Sequence, residues 1–289
     1  MKTRTNRGGH KLGFIGAGNM AEALIKGIVA AAMTAPENIL TTDVNVERLS
    51  WLHAEYGIRT ETLNVRAAEH AEVLLLCVKP QIMPRVLAEI GAVVTADQMV
   101  ISIAAGVPLA RLEGALAAAV PVVRAMQNTP AQIGEGMTVW TVTPNVNEKQ
   151  REQARAVFQA LGKEMFVDEE KFLDMATAVS GTGPTYTFLV LEALIDAAVH
   201  LGFSRDQAHD IVLETMRGSI LYAEKTGKHP AELRNQVTSP GGTSAEAIYQ
   251  MEKGSLRTVL SKAVWAAYQK SVLLGETVGK GEPRKPVDA

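Results

Sequence analysis

The feature that most restricts what this chain can fold into lies near its start. A short apolar run, Leu12-Gly13-Phe14-Ile15, leads directly into Gly16-Ala17-Gly18-Asn19-Met20-Ala21, and a helical pattern follows to about Ala31. A strand, two glycines one residue apart and a small residue three further on are the spacing that opens a βαβ unit. Gly16 permits the tight turn, Gly18 lets the backbone approach a pyrophosphate, and Ala21 lets the helix pack closely on the strand. An anion held there would sit at a helix N-terminus, where the first N–H groups lack intrahelical partners. A glycine-rich turn without a ligand is the plainer reading of those six residues alone. The strand before and the helix after favour the dinucleotide.

The rest of the first half continues this texture. Apolar runs at 38–42, 73–78, 99–103, 122–126 and 137–142 alternate with helical spacing at 46–56, 83–90 and 109–116. Continuous Val/Ile/Leu runs suit a parallel sheet covered on both faces. Right-handed strand–helix–strand units then predict an α/β fold with a Rossmann-type, doubly wound sheet. From about Asn147 strands nearly vanish, apart from a short one expected at 165–167, and long helical segments take over at 148–161, 170–179, 184–201, 204–226 and 255–274. Ser204 with Gln207 forms a capping-box pattern. The division expected is a disordered extension over 1–10, a dinucleotide-binding domain over 11–168, an all-helical domain over 169–275 and a disordered polar tail over 276–289.

Further candidate residues stand at the ends of the predicted strands, where ligands of open α/β sheets bind. Asp43, 25 positions after Gly18, is placed to bond a ribose 2′-hydroxyl, which favours NAD. It serves equally well as an N-cap for the helix that follows. Thr41, Thr42 and Arg48 offer contacts to a 2′-phosphate, so the choice between NADP and NAD stays open. Val78-Lys79-Pro80 ends one strand, and Ala104-Ala105-Gly106, small enough to admit a nicotinamide ring, follows another.

A second glycine cluster lies in the helical half. Val237-Thr238-Ser239-Pro240-Gly241-Gly242-Thr243-Ser244 precedes a helix over 245–253. Two glycines before hydroxyl residues make a nest of backbone donors for a small anion. Thr243 and Ser244 would also serve as plain N-cap oxygens. The loop is longer and richer in glycine than a cap needs.

With these motifs in view, the chain resembles the pyrroline-5-carboxylate reductases. The match is carried by GFIGAGNMA at 13–21, VKP at 78–80, SIAAG at 102–106, NTP at 128–130, SGTGP at 180–184 and VTSPGGTSAEA at 237–247. The resemblance implies reduction of a cyclic imine to L-proline, the last step of proline synthesis, by a cytoplasmic enzyme. Its helical domain would be a dimerisation domain, giving a homodimer that often assembles into a ring of dimers. It further implies a substrate carboxylate on Gly241, Gly242, Thr243 and Ser244, with Ser244 the catalytic candidate and Glu170 near the ligand. Cofactor contacts carry over onto Ile15, Gly16, Gly18, Asn19, Met20, Thr42, Asn64, Val78, Lys79 and Ala105, with Pro80 and Ala104 beside them and Gln236 toward the nicotinamide. Two positions depart from the family pattern: Ser244 stands where threonine is usual, and Asp43 where many NADPH-preferring relatives are basic or neutral.

Composition narrows the alternatives. Lys and Arg number 29 against 31 Asp and Glu, a net charge of −2, so nothing draws the chain generally to nucleic acid. The lone Cys77 leaves no intramolecular disulfide framework, as expected in a reducing compartment. His10, His53, His70, His200, His209 and His229 show no metal spacing. No apolar stretch is long enough to span a bilayer. A β-hydroxyacid dehydrogenase would carry a lysine just after its interdomain glycines, and residues 180–188 contain none. A non-enzymatic nucleotide-binding regulator would need the first loop but not the second. Apolar residues on several faces of the segment 189–198 point to a subunit interface.

Overall fold

The computed structural model describes residues 9–116 and 119–277. They form two compact units: one runs to Thr182 and resumes at Ala267, and the other is Gly183–Ala266. The chain begins with β1 (Leu12–Ile15), α1 (Asn19–Ala30), β2 (Ile39–Thr42), α2 (Val46–Tyr56), β3 (Arg59–Glu61), α3 (Asn64–His70) and β4 (Val73–Leu76). It continues with α4 (Met83–Ile90), β5 (Met99–Ser102), α5 (Leu109–Ala115), β6 (Val122–Met126), β7 (Gly136–Val142), α6 (Glu148–Gln159), β8 (Gly162–Phe166) and α7 (Lys171–Ala176).

The eight strands make one sheet in the order β3-β2-β1-β4-β5-β6-β7-β8. All pairs are parallel except β6 with β7. Chain order reverses between β1 and β4, so the ligand crevice of this topology opens beyond the carboxyl ends of those strands. Each apolar run divides between the two faces with the period of a strand. Val73 and Leu75 join a core with α1, α2 and α6, whereas Leu74 and Leu76 join one with α3, α4 and α5. Burial on both faces is why these strands read as unbroken hydrophobic runs.

The domain boundary expected near 168 is not where the units divide: the sheet ends with β8 at Phe166, but the first unit runs on to Thr182. Beyond β8, α7 and a π turn at Thr177–Gly181 stay with the first unit. The helix expected over 170–179 therefore stops at Ala176, where Thr182 N–H reaches back five residues to the Thr177 carbonyl. Of the expected N-terminal extension, residues 1–8 lie outside the described residues, while His10 bonds Glu72 and Gln153. Of the expected tail, Glu276 and Thr277 continue the last helix, and 278–289 lie outside the described residues.

The second unit contains α8 (Gly183–His200), α9 (Arg205–Thr226), α10 (Pro230–Gln236), α11 (Thr243–Lys253) and the first part of α12 (Leu256–Thr277). Ser204 and Gln207 close the predicted capping box on α9. In this unit only Ile195 and Ala208 are buried, while Phe188, Leu189, Ile220, Tyr222 and Trp265 are exposed. Such an extent of uncovered apolar surface marks a face built to pair with another protein surface. No helix among the described residues is long and apolar enough to cross a membrane.

Candidate active site

The glycine loop after β1 is held from below and from the side. Gly16 N–H donates to the Thr42 carbonyl at 2.8 Å, and Cys77 N–H donates to the Ile15 carbonyl at 2.8 Å. Gly16 has φ +98°, and a Cβ there would lie 2.9 Å from the Cys77 carbonyl, so both backbone and space demand glycine. Gly18 is different. Its φ is −69°, and a Cβ built on it meets nothing within 4 Å. Gly18 is the N-cap of α1, a place glycine suits, and the space left open around it is what close approach of a pyrophosphate would need.

Ala17, between the two glycines, is clamped by the segment after β2. Its N–H donates to Asp43 Oδ2 at 2.7 Å, and its carbonyl accepts from Arg48 Nε at 2.8 Å. Arg48 also pairs with Glu22 and lies over the Trp51 ring. Asp43 Oδ1 accepts from Asn45 N–H at 2.9 Å. These contacts revise two sequence expectations. The N-cap of α2 is Asn45, not Asp43. The residues offered for a 2′-phosphate are not open to one: Arg48 is held by Ala17 and Glu22, and Thr41 and Thr42 are fully buried in β2. The Thr42 hydroxyl donates to Asn64 Oδ1 at 2.9 Å, and Asn64 Nδ2 donates to Glu89 at 2.7 Å. Hydrogen bonds from Asn64 and Arg85 hold the Glu89 carboxyl below its usual range.

The remaining candidates of this unit line the same strand ends. Asn19 is exposed, and Met20, Val78 and Pro80 are half-buried. Lys79 projects into solvent, Ala104 is buried and Ala105 is partly covered. The Ile15 side chain is buried in the core, and its carbonyl is taken by Cys77, so only its place beneath the loop relates it to a ligand. Burial pushes the Cys77 thiol up, which keeps it protonated at neutral pH.

Glu170 is occupied by the protein. Its Oε1 accepts from Arg124 at 2.6 Å and from Leu109 N–H at 2.7 Å. Arg124 also reaches Asp174 at 3.2 Å, and Asp174 accepts from the Ser271 hydroxyl at 2.9 Å. A charged residue inside the apolar run Val122-Val123-Arg124-Ala125-Met126 was the available signal for this network, because a buried guanidinium requires an acidic partner.

In the second unit the glycine cluster forms a turn at the start of α11. Gly241 has φ +69°, a left-handed conformation that favours glycine. Gly242 N–H donates to the Ser239 carbonyl, and Gly242 itself is the N-cap, with no side-chain capping bond. Thr243 and Ser244 are thus the first two helical residues, not the cap oxygens their type suggests. Their amide hydrogens belong to the group that no helix can satisfy internally. Gln236, expected toward the nicotinamide, is exposed at the end of α10 and donates to Glu232.

Two family models match the chain: one described as pyrroline-5-carboxylate reductase dimerisation over residues 170–274, and one described as NADP oxidoreductase, coenzyme F420-dependent, over residues 11–106. A curated pyrroline-5-carboxylate reductase of Corynebacterium melassecola is 40% identical over 265 residues, covering 91% of this chain and 97% of its own. A solved pyrroline-5-carboxylate reductase of Coxiella burnetii superposes with a TM-score of 0.84 at 34% identity, covering 93% of this chain and 99% of its own. The Plasmodium falciparum pyrroline carboxylate reductase, solved with NADP bound, does so with a TM-score of 0.84 at 33% identity, covering 92% and 98%.

Proposed function

The chain belongs to the pyrroline-5-carboxylate reductase family, and on that premise we propose how its residues divide the work. The reaction is reduction of the C=N bond of 1-pyrroline-5-carboxylate to L-proline. When bound, the nicotinamide coenzyme supplies the hydride. The residues present fit such a coenzyme, and the observation that carries this is Gly18, whose side-chain position stands open at the N-terminus of α1.

In this reading Gly16, Gly18, Asn19 and Met20 receive the pyrophosphate at the N-terminus of α1. Val78, Lys79, Pro80, Ala104 and Ala105 bound the nicotinamide end, and Gln236 is kept as a coenzyme neighbour. The nest at Gly241, Gly242, Thr243 and Ser244 takes the substrate carboxylate through backbone N–H groups, and the Ser244 hydroxyl oxygen accepts a hydrogen bond from the protonated ring nitrogen. The protonated imine is already electrophilic, so no strong general acid is needed. The protein's contribution is orientation, which alone lowers a barrier by several kcal/mol, on the order of 7 where alignment is good. Glu170, with one oxygen spent on Arg124 and Leu109, serves the ligand through the framework it holds. Its role is support. The working unit is a homodimer formed by the helical domain, with a ring of such dimers as the larger assembly its exposed apolar faces would serve. The lone Cys77 supports a cytoplasmic setting.

Purified protein is expected to oxidise NAD(P)H in the presence of 1-pyrroline-5-carboxylate near neutrality, and to reduce NAD(P)+ with L-proline at alkaline pH. Activity with a β-hydroxyacid instead, or coenzyme binding without either reaction, refutes the assignment.

The carboxylate of Asp43 beside the loop, with Arg48 and both threonines unavailable to a phosphate, supports NADH as the preferred donor. Wild type is expected to show a higher kcat/KM with NADH than with NADPH, and Asp43→Ser to narrow that ratio by about tenfold. A preference for NADPH in wild type would show that Asp43 only braces Ala17.

A further inference from the structure

We propose that Gln127 binds the nicotinamide carboxamide, its side-chain oxygen accepting a hydrogen bond from the carboxamide NH2. The inference rests on the coenzyme reading above and extends it to a residue outside every motif of the sequence. Gln127 follows β6 immediately, at the carboxyl edge of the sheet where β4 and β5 give way to 77–80 and 103–106. It is 7% exposed, and its Oε1 is buried with no hydrogen-bond partner.

Native proteins nearly always pair such an oxygen, so an orphan asks for a missing donor. Two other buried side-chain oxygens among the described residues lack partners, on Thr41 and Thr138, but both lie within strands. Gln127 alone stands at a strand end. Val123 and Ala125 share a core with Ala17 and Ala21, whereas Arg124 turns away to Glu170 and Asp174. The alternation of a strand returns Gln127 to the side of Ala125, the side of the glycine loop. What meets it there must be a donor. Phosphate oxygens are excluded; the donors at the nicotinamide end are the ribose hydroxyls and the carboxamide NH2, and a carboxamide-free analogue separates the two.

The test is calorimetric titration of the intact protein with whichever of NAD+ and NADP+ binds more tightly, and with its 3-acetylpyridine analogue. The analogue carries a methyl ketone in place of the carboxamide and lacks the NH2. Wild type is expected to bind the nicotinamide form about tenfold more tightly. Gln127→Met should bind both forms alike, and Gln127→Glu, which keeps an acceptor, should retain the preference. Equal affinities in wild type overturn the proposal even if no variant folds, and so does a preference that survives in Gln127→Met. Absence of binding by either dinucleotide to wild type instead removes the coenzyme reading on which the proposal stands.

Discussion

Ser244→Ala is expected to lower kcat by about a hundredfold, the scale of removing one hydrogen-bonding group aimed at a reacting atom. Stability should stay within about 0.5 kcal/mol of wild type. The two numbers separate because of where Ser244 stands. It is the second residue of α11, a helix whose N-cap is Gly242 and whose capping uses no side-chain bond. Deleting the hydroxyl breaks no capping contact, and alanine is the better helix former. In the proposed reaction the same hydroxyl holds the ring N–H in place as the bonding at nitrogen changes. The backbone donors of Gly241–Ser244 survive the substitution, so KM for the imine should move much less than kcat. Ser244→Thr keeps the hydroxyl and should keep most of the rate. Steady-state kinetics with urea denaturation reads both quantities, and an unchanged kcat would take Ser244 out of the mechanism.

How much of this was legible in the sequence depends on the distance over which each contact acts. The glycine loop, the buried strands and the Ser204–Gln207 box are local patterns, and each stands where its spacing puts it. β3 escaped because Arg59-Thr60-Glu61 is an edge strand with no apolar face to read. The helical domain was legible as an interface because its helices carry more apolar residues than its own interior can cover. Roles set by tertiary contacts were not. Asp43 is an acid at the end of a strand in either reading, and only the folded chain shows it gripping the Ala17 amide. Thr42 looks like a ligand residue until β1 and β3 bury it. Gln127 gives no signal at all, since an orphaned oxygen is a property of its surroundings.

The largest effect on stability is expected at Arg124, which nothing but its place in an apolar strand distinguishes. Arg124→Met should cost about 3 kcal/mol, at the lower end of what breaking a buried ion pair costs. Its side chain is 5% exposed, while Glu170 and Asp174 are 32% and 21% exposed. Losing the guanidinium leaves two carboxylates facing each other with little water, and their partial exposure is what keeps the cost from the top of the range. The damage should spread, because Glu170 also holds the first amide of α5 and Asp174 the Ser271 hydroxyl of α12. Lysine should not rescue it, since an ammonium lacks the planar fork that reaches both acids at once. The decisive comparison adds Glu170→Gln and Asp174→Asn to Arg124→Met. If orphaned charge is the cause, the triple variant recovers part of the loss, because no unpaired ion remains. If lost packing is the cause, it recovers none. Urea denaturation of the three proteins at neutral pH distinguishes the two, and a cost below about 1 kcal/mol for Arg124→Met would place the network among water-screened pairs.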